Sequence, residues 1–186
     1  MDIGGYLSES WTITFRNPAQ IFVAGIAVVV LTPITFGILG APLTAGLMMM
    51  YVNARNGKPV VSGDVFRYLN RTLPLFFGAA IIGLLTAMGF LLIIIPGLVF
   101  MAWWAHTGPF MADQGLSPFE AMGKSREIAR KNGLGMTLLF MLVCGIVGAA
   151  GSALAFFGAF FTIPMAAGML GLSYADGKSA LEKGGY

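Results

Sequence analysis

The sequence predicts an all-α integral membrane protein of six transmembrane helices, arranged as three hairpins with a short amphipathic interfacial helix before each. Three observations predict it: charge is scarce, it is confined to four clusters, and a turn signal lies near the middle of each uncharged stretch. Of 186 residues, 57% are hydrophobic and 10% charged, whereas a water-exposed globule carries about 25% charged residues. The eleven Lys and Arg and eight Asp and Glu fall in the N-terminal segment, in 55–71, in 113–131 and in the C-terminal tail. Stretches 17–54, 72–112 and 132–175 contain none.

Each uncharged stretch is about twice the ~20 residues that cross a bilayer core at 1.5 Å per residue. Phe36-Gly37-Ile38-Leu39-Gly40-Ala41-Pro42 marks the turn in the first, Ile95-Pro96-Gly97 in the second, and Phe156-Phe157-Gly158 in the third, with Pro164 beyond it. A chain that enters, turns and returns keeps its backbone polar groups bonded within helices. Hairpins also place all four charged clusters on one side. Basic residues beside the spans mark that side as cytoplasmic by the positive-inside rule, so both termini are expected in the cytoplasm of a bacterial inner membrane. The returning segments 38–54 and 96–112 are short for a span, so tilted or partly re-entrant hairpins stay open.

The interfacial helices are read from spacing. Ile3, Tyr6, Leu7, Trp11 and Phe15 recur at helical period before the first hairpin; Val65, Phe66, Leu69 and Leu73 do so before the second. The third begins Ser117-Pro118-Phe119-Glu120, with Ser at N-cap, Pro at N1 and Glu at N3. Glu120–Lys124 and Glu127–Lys131 are i,i+4 pairs that support it, and Asn132-Gly133 ends it. Arg16, Arg67, Arg71, Lys124, Arg126, Arg130 and Lys131 are therefore candidates for contact with anionic lipid headgroups. The competing reading makes these segments ordinary solvated linkers.

Self-similarity supports a single membrane domain over 1–186, built from three repeat-like units at about 1–58, 59–115 and 116–178, with a short tail at 179–186. Ser10 and Asn17 recur as Ser125 and Asn132, and Pro42-Leu43-Thr44-Ala45-Gly46 recurs as Pro164-Met165-Ala166-Ala167-Gly168. Pro42, Pro96, Gly97 and Pro164 are read as turn or packing positions. Small residues repeat at Gly37/Ala41/Ala45, Ala79/Gly83/Ala87, Gly148/Ser152 and Ala149/Ala153, a spacing that lets helices approach closely in lipid.

What the spans lack excludes several functions. No Asp, Glu, Lys or Arg lies inside one, although ion-coupled transporters and intramembrane enzymes work through such groups. No paired carboxylates, metal-ligand spacing, nucleophile–base motif or nucleotide fingerprint is present, so neither an enzyme nor a metal site nor a nucleic-acid binder is expected. Cys144 is alone and reads as a small buried hydrophobe. Met1-Asp2-Ile3 lacks the basic start of a signal peptide. His106, the one histidine, lies in a predicted span and is a candidate ligand for a pigment or haem; the commoner use is a hydrogen bond to a neighbouring helix, with Trp103 and Trp104 as belt residues.

The run Ile95-Pro96-Gly97 through Pro109 and Asp113, then Ser117-Pro118-Phe119-Glu120-Ala121 to Ser125 and Asn132-Gly133, resembles a family of uncharacterised bacterial multi-pass membrane proteins. That family is related to the membrane domain of glycerophosphodiester phosphodiesterases. Ser10-Trp11, Phe15 and Asn17 resemble its opening. The resemblance implies a multi-pass membrane module near lipid-related functions and carries no catalytic residues. The expected function is a non-catalytic inner-membrane module that binds membrane lipid, anionic for choice, or a partner membrane protein or second copy, with no cofactor beyond bound phospholipid. The alternative is a passive pore or transporter for a small neutral solute; pigment or haem binding at His106 is the weaker one.

Overall fold

The computed structural model describes residues 1–92, 94–153 and 158–183, without the side chains of 152 and 153, and every regular element among them is helical. The turn signal at Phe156-Phe157, the side chains of Ser152 and Ala153 in the small-residue rows, and the last three residues of the tail lie outside the described residues.

Helix α1 (Ile3–Arg16) starts on Asp2, whose carboxylate accepts the Gly5 N–H at 2.8 Å. It ends at Asn17 because Pro18 follows, and a residue before proline is driven out of the helical region. Asn17 takes φ −129° and ψ 51°, and its amide donates to the Ile13 carbonyl at 3.1 Å. Pro18 then opens α2 (Pro18–Ile34) at a position that needs no N–H. The two helices meet at 104°, so α1 lies across the end of α2. Tyr6, Ser10, Ile13 and Thr14 are buried, while Trp11 and Phe15 are each 53% exposed. The apolar stripe predicted for this segment is thus divided between two faces.

The first hairpin turns where expected. Phe36 and Gly37 take φ values of 50° and 82°, and the Gly37 N–H closes the helix end on the Thr32 carbonyl at 2.8 Å. Gly40 to Pro42 already belong to the first turn of α3 (Gly40–Arg55). After Gly57, at φ 74°, two 3-10 turns, Ser62–Phe66 and Leu69–Arg71, stand where the second interfacial helix was predicted. They lead into α4 (Thr72–Leu92).

The middle return differs from the expected continuous span over 96–112. It consists of α5 (Ile94–Trp104) and α6 (Thr107–Gln114), interrupted at Ala105 and His106. Eleven residues reach about 16 Å at 1.5 Å each, roughly half of a bilayer core. Pro96 and Gly97 do not form the turn: both sit in the first turns of α5, where proline is tolerated. Gly97 is instead a packing position, since a Cβ there would strike the Phe90 ring of α4.

The capped start of α7 (Pro118–Asn132) forms as predicted. The Ser117 N–H donates to Glu120 at 3.0 Å and the Glu120 N–H donates to the Ser117 hydroxyl at 3.4 Å. Gly133, at φ 81°, separates α7 from α8 (Leu134–Ala153). The last helix is α9 (Ala159–Lys183), with Pro164 buried inside it.

Two segments, Ser62–Leu92 and Leu134–Gly151, are long and apolar enough to span a membrane; a third is present if the bent pair α1–α2 is one span. Both lie on the outside of the bundle, with 17% and 22% of their apolar windows buried. The centre belongs to the returning helices α3 and α9. Leu43, Leu47, Met50 and Tyr51 of α3 are enclosed with Met169 and Leu172 of α9. In lipid, apolar helices gain little from burial against one another and associate through close contact and internal hydrogen bonds. Glycines provide that contact: a Cβ at Gly46 would overlap the Val65 backbone, one at Gly168 the Tyr51 ring, and one at Gly171 the Met48 carbonyl. The Ala79/Gly83/Ala87 row does not join this packing; all three residues are exposed.

Candidate functional site

Charged side chains hold the ends of the helices together. Arg55, at the end of α3, donates through Nε to Glu9 of α1 at 2.7 Å and through Nη1 to Asp176 of α9 at 2.7 Å. Asp113, at the end of α6, accepts from the Lys178 ammonium and from the Tyr174 hydroxyl of α9, both at 2.6 Å. Arg71 donates to the Met111 carbonyl at 3.3 Å, and Lys131 of α7 to the Ala180 carbonyl at 3.5 Å. All four charged clusters of the sequence therefore gather at one end of the bundle.

The electrostatics of this end follow from its partners. Burial alone raises the pKa of the Asp113 carboxyl, but the hydrogen bonds from Lys178 and Tyr174 outweigh it and leave the pKa below the ordinary carboxylate value. Glu120, fully solvated, is also held low by the Ser117 hydroxyl and N–H. The pairings of Glu9, Asp113 and Asp176 missed notice in the sequence because their partners are 46 to 121 residues away; only Tyr174 and Lys178, one turn apart on α9, leave a local trace.

The predicted headgroup residues separate into three groups. Arg16 at the α1–α2 bend and Arg67 after the first 3-10 turn are both exposed. Arg71 and Lys124 lie on either side of the α6 end, with Lys124 donating to Gln114 at 2.8 Å and lying over the Phe110 ring. Arg126, Arg130 and Lys131 line an open basin of about 700 Å³ on α7, together with Gly123 and Glu127. Arg126 packs its guanidinium 4.2 Å from the Trp103 ring centre. Glu127–Lys131 forms at 3.9 Å. The expected Glu120–Lys124 ion pair does not, because the helix cap takes up Glu120 and Gln114 takes up Lys124. Arg16, Arg67 and Arg130 have no carboxylate within ion-pair distance among the described residues.

His106 is wholly buried in the interruption between α5 and α6. Its Nε2 lies 3.1 Å from the Ser173 hydroxyl of α9. The His106 backbone N–H donates to the Ser125 hydroxyl at 3.0 Å, which in turn donates to the Trp103 carbonyl at 2.8 Å. The ring lies parallel to Phe140 of α8, 6.4 Å between centres. His106 and Ser173 have the spacing of a base and a nucleophile, but both are enclosed, and Nδ1 has no partner to orient the ring. A haem or pigment at Nε2 would have to displace Ser173 from a wholly buried residue. The arrangement serves to join α5, α7, α8 and α9.

No family model and no solved structure matches the chain. Similar proteins include an uncharacterised protein of Mycobacterium bovis and one of Mycobacterium tuberculosis, each 34% identical over 163 residues, or 88% of this chain and 48% of the relative. The chain spans about half the length of the curated relatives it matches.

The aligned length takes in most of the helical bundle, so the likeness reaches beyond any one motif. Among the described residues no group of three or more His, Cys, Asp or Glu is placed to hold a metal ion. What remains at the charged end is a set of solvated cations beside strongly apolar helices.

Proposed function

We propose that this chain is a non-catalytic inner-membrane module that binds anionic lipid in an accessory or assembly role. The observation that supports it is the position of the free cations: Arg16 precedes α2, Arg67 precedes α4, and Arg130 lies three residues before Gly133 and α8. Each basic residue thus stands where an outward-facing apolar helix enters hydrocarbon, the level at which anionic headgroups lie. On this reading the charged end is cytoplasmic, both termini with it, and the outer helices α2, α4 and α8 cross the bilayer.

The inner helices α3, α5–α6 and α9 return within the bundle, giving three hairpins and up to six crossings. The order of elements supports three related units: α1–α2–α3, the 3-10 turns with α4 and α5–α6, and α7–α8–α9. Ser10 and Ser125 are both fully buried on the inner faces of the interfacial helices, in keeping with that equivalence. The motif likeness to the membrane domain of glycerophosphodiester phosphodiesterases fits the same reading. A pore for a neutral solute is less well supported, because Leu43, Leu47, Met50, Tyr51, Met169 and Leu172 fill the centre.

The test is native mass spectrometry of the full chain in neutral detergent, titrated with phosphatidylglycerol and with phosphatidylcholine. The wild type retains phosphatidylglycerol in preference, and Arg16→Gln, Arg67→Gln and Arg130→Gln each lower that preference about fivefold. Equal retention of the two lipids, or retention of neither, rejects the proposal.

A further inference from the structure

The Ala79/Gly83 row of α4 borders an apolar groove of about 370 Å³, whose opposite wall is Ala41 and Ala45 of α3 and whose floor includes Ala105 and Met111. A Cβ at Gly83 would meet nothing within 4 Å, so this small-residue row is open space and not a packed seam. The groove follows α4 from Leu75 to Gly83 and α3 from Met48 to Gly40, about 12 Å of each at 1.5 Å per residue. Its α4 wall, Leu75, Ala79, Ile82 and Gly83, recurs at helical spacing along one face of that helix.

One end of the groove is positively charged. Arg71 lies one turn before Leu75, its Nη1 donates to the carbonyl of Met111, and its guanidinium lies against Gly115. Leu75 and Met111 both line the groove, so Arg71 stands at its charged-end mouth. Among the described residues no carboxylate lies within ion-pair distance of it. Met111 takes one of its five donors, and the rest are free to meet an anion.

We infer that this groove holds one acyl chain of a phospholipid whose anionic phosphate lies against Arg71. The occupant follows from the two chemistries joined there. A channel lined largely by Ala, Leu, Ile and Met side chains favours an apolar occupant over water, and a guanidinium at its mouth selects phosphate through charge-assisted hydrogen bonds. The inference rests on the lipid-binding reading and assigns it a place.

The same titration, applied to two further variants, tests it. Gly83→Leu, at a position where a Cβ meets nothing within 4 Å, fills part of the groove and removes the most tightly retained phosphatidylglycerol, while circular dichroism reports an unchanged fold. Arg71→Gln lowers phosphatidylglycerol retention about fivefold, as for one basic residue at an anionic surface, and leaves phosphatidylcholine unchanged. Wild-type retention in both variants overturns the groove while leaving the lipid-binding reading intact. A dimer that Gly83→Leu dissociates, with no lipid lost, overturns it in favour of a second copy as occupant. A wild type that retains no phospholipid overturns both.

Discussion

The His106 imidazole and the Ser173 hydroxyl, 3.1 Å apart and both buried, bind the interruption between α5 and α6 to the central helix α9. In a bundle with an apolar exterior, such a buried polar contact fixes which helices are neighbours. Removing one partner strands the other. Ser173→Ala and His106→Leu are each expected to destabilise the protein by about 1–3 kcal/mol, the cost of an unsatisfied buried polar group. The double variant loses less than the sum of the two, because neither group is then left alone. Thermal unfolding in detergent measures both effects, and strict additivity counts against the contact.

Asp113 makes stability depend on pH. Its pKa is lower in the folded protein than in the unfolded chain, so folding favours the ionised carboxylate. The stabilisation is complete above the ordinary carboxylate value of about 3.9 and disappears as pH falls through the lower, folded value. Asp113→Asn should lower stability at neutral pH by on the order of 2 kcal/mol, for hydrogen bonds to a charged group at a partly exposed site. It should also flatten the acid limb of a melting-temperature profile. A variant with an unaltered acid limb assigns that limb to other carboxylates.

Glycines separate into two kinds that a substitution distinguishes. Gly46 faces the Val65 backbone with no room for a Cβ, whereas Gly145 of α8 has open space around that position. Gly46→Ala is expected to cost about 1–3 kcal/mol through overpacking. Gly145→Ala should stay within about 0.5 kcal/mol of the wild type. Similar losses at both sites in the same thermal assay contradict the packing described for α3.

The features legible in the sequence are those with local causes. Charge clustering predicted the common charged end, Phe36-Gly37 the first turn, and Ser117 with Glu120 the start of α7. Pro96 misled because proline is as much at home in the first turn of a helix as in a loop, and it lies within α5. The interruption at His106 has no local signature: Gly108 and Pro109 lie within α6, and hydrogen bonds between His106 and the Ser125 and Ser173 hydroxyls hold the break in place. The groove was half visible. The Ala79/Gly83 row was recognised, but only packing elsewhere, at Gly46, Gly168 and Gly171, leaves it open.

The most direct test of the whole arrangement is labelling with a membrane-impermeant thiol reagent, using single cysteines in a Cys144→Ser background. Phe36→Cys lies on the uncharged turn, where position 36 is 93% exposed, while Lys58→Cys and Lys131→Cys lie at the charged end. In intact bacterial spheroplasts, Phe36→Cys should react, and the other two only after permeabilisation. Reaction of Lys58→Cys in intact spheroplasts, or recovery of the protein in the soluble fraction, contradicts a membrane bundle with its charged end in the cytoplasm.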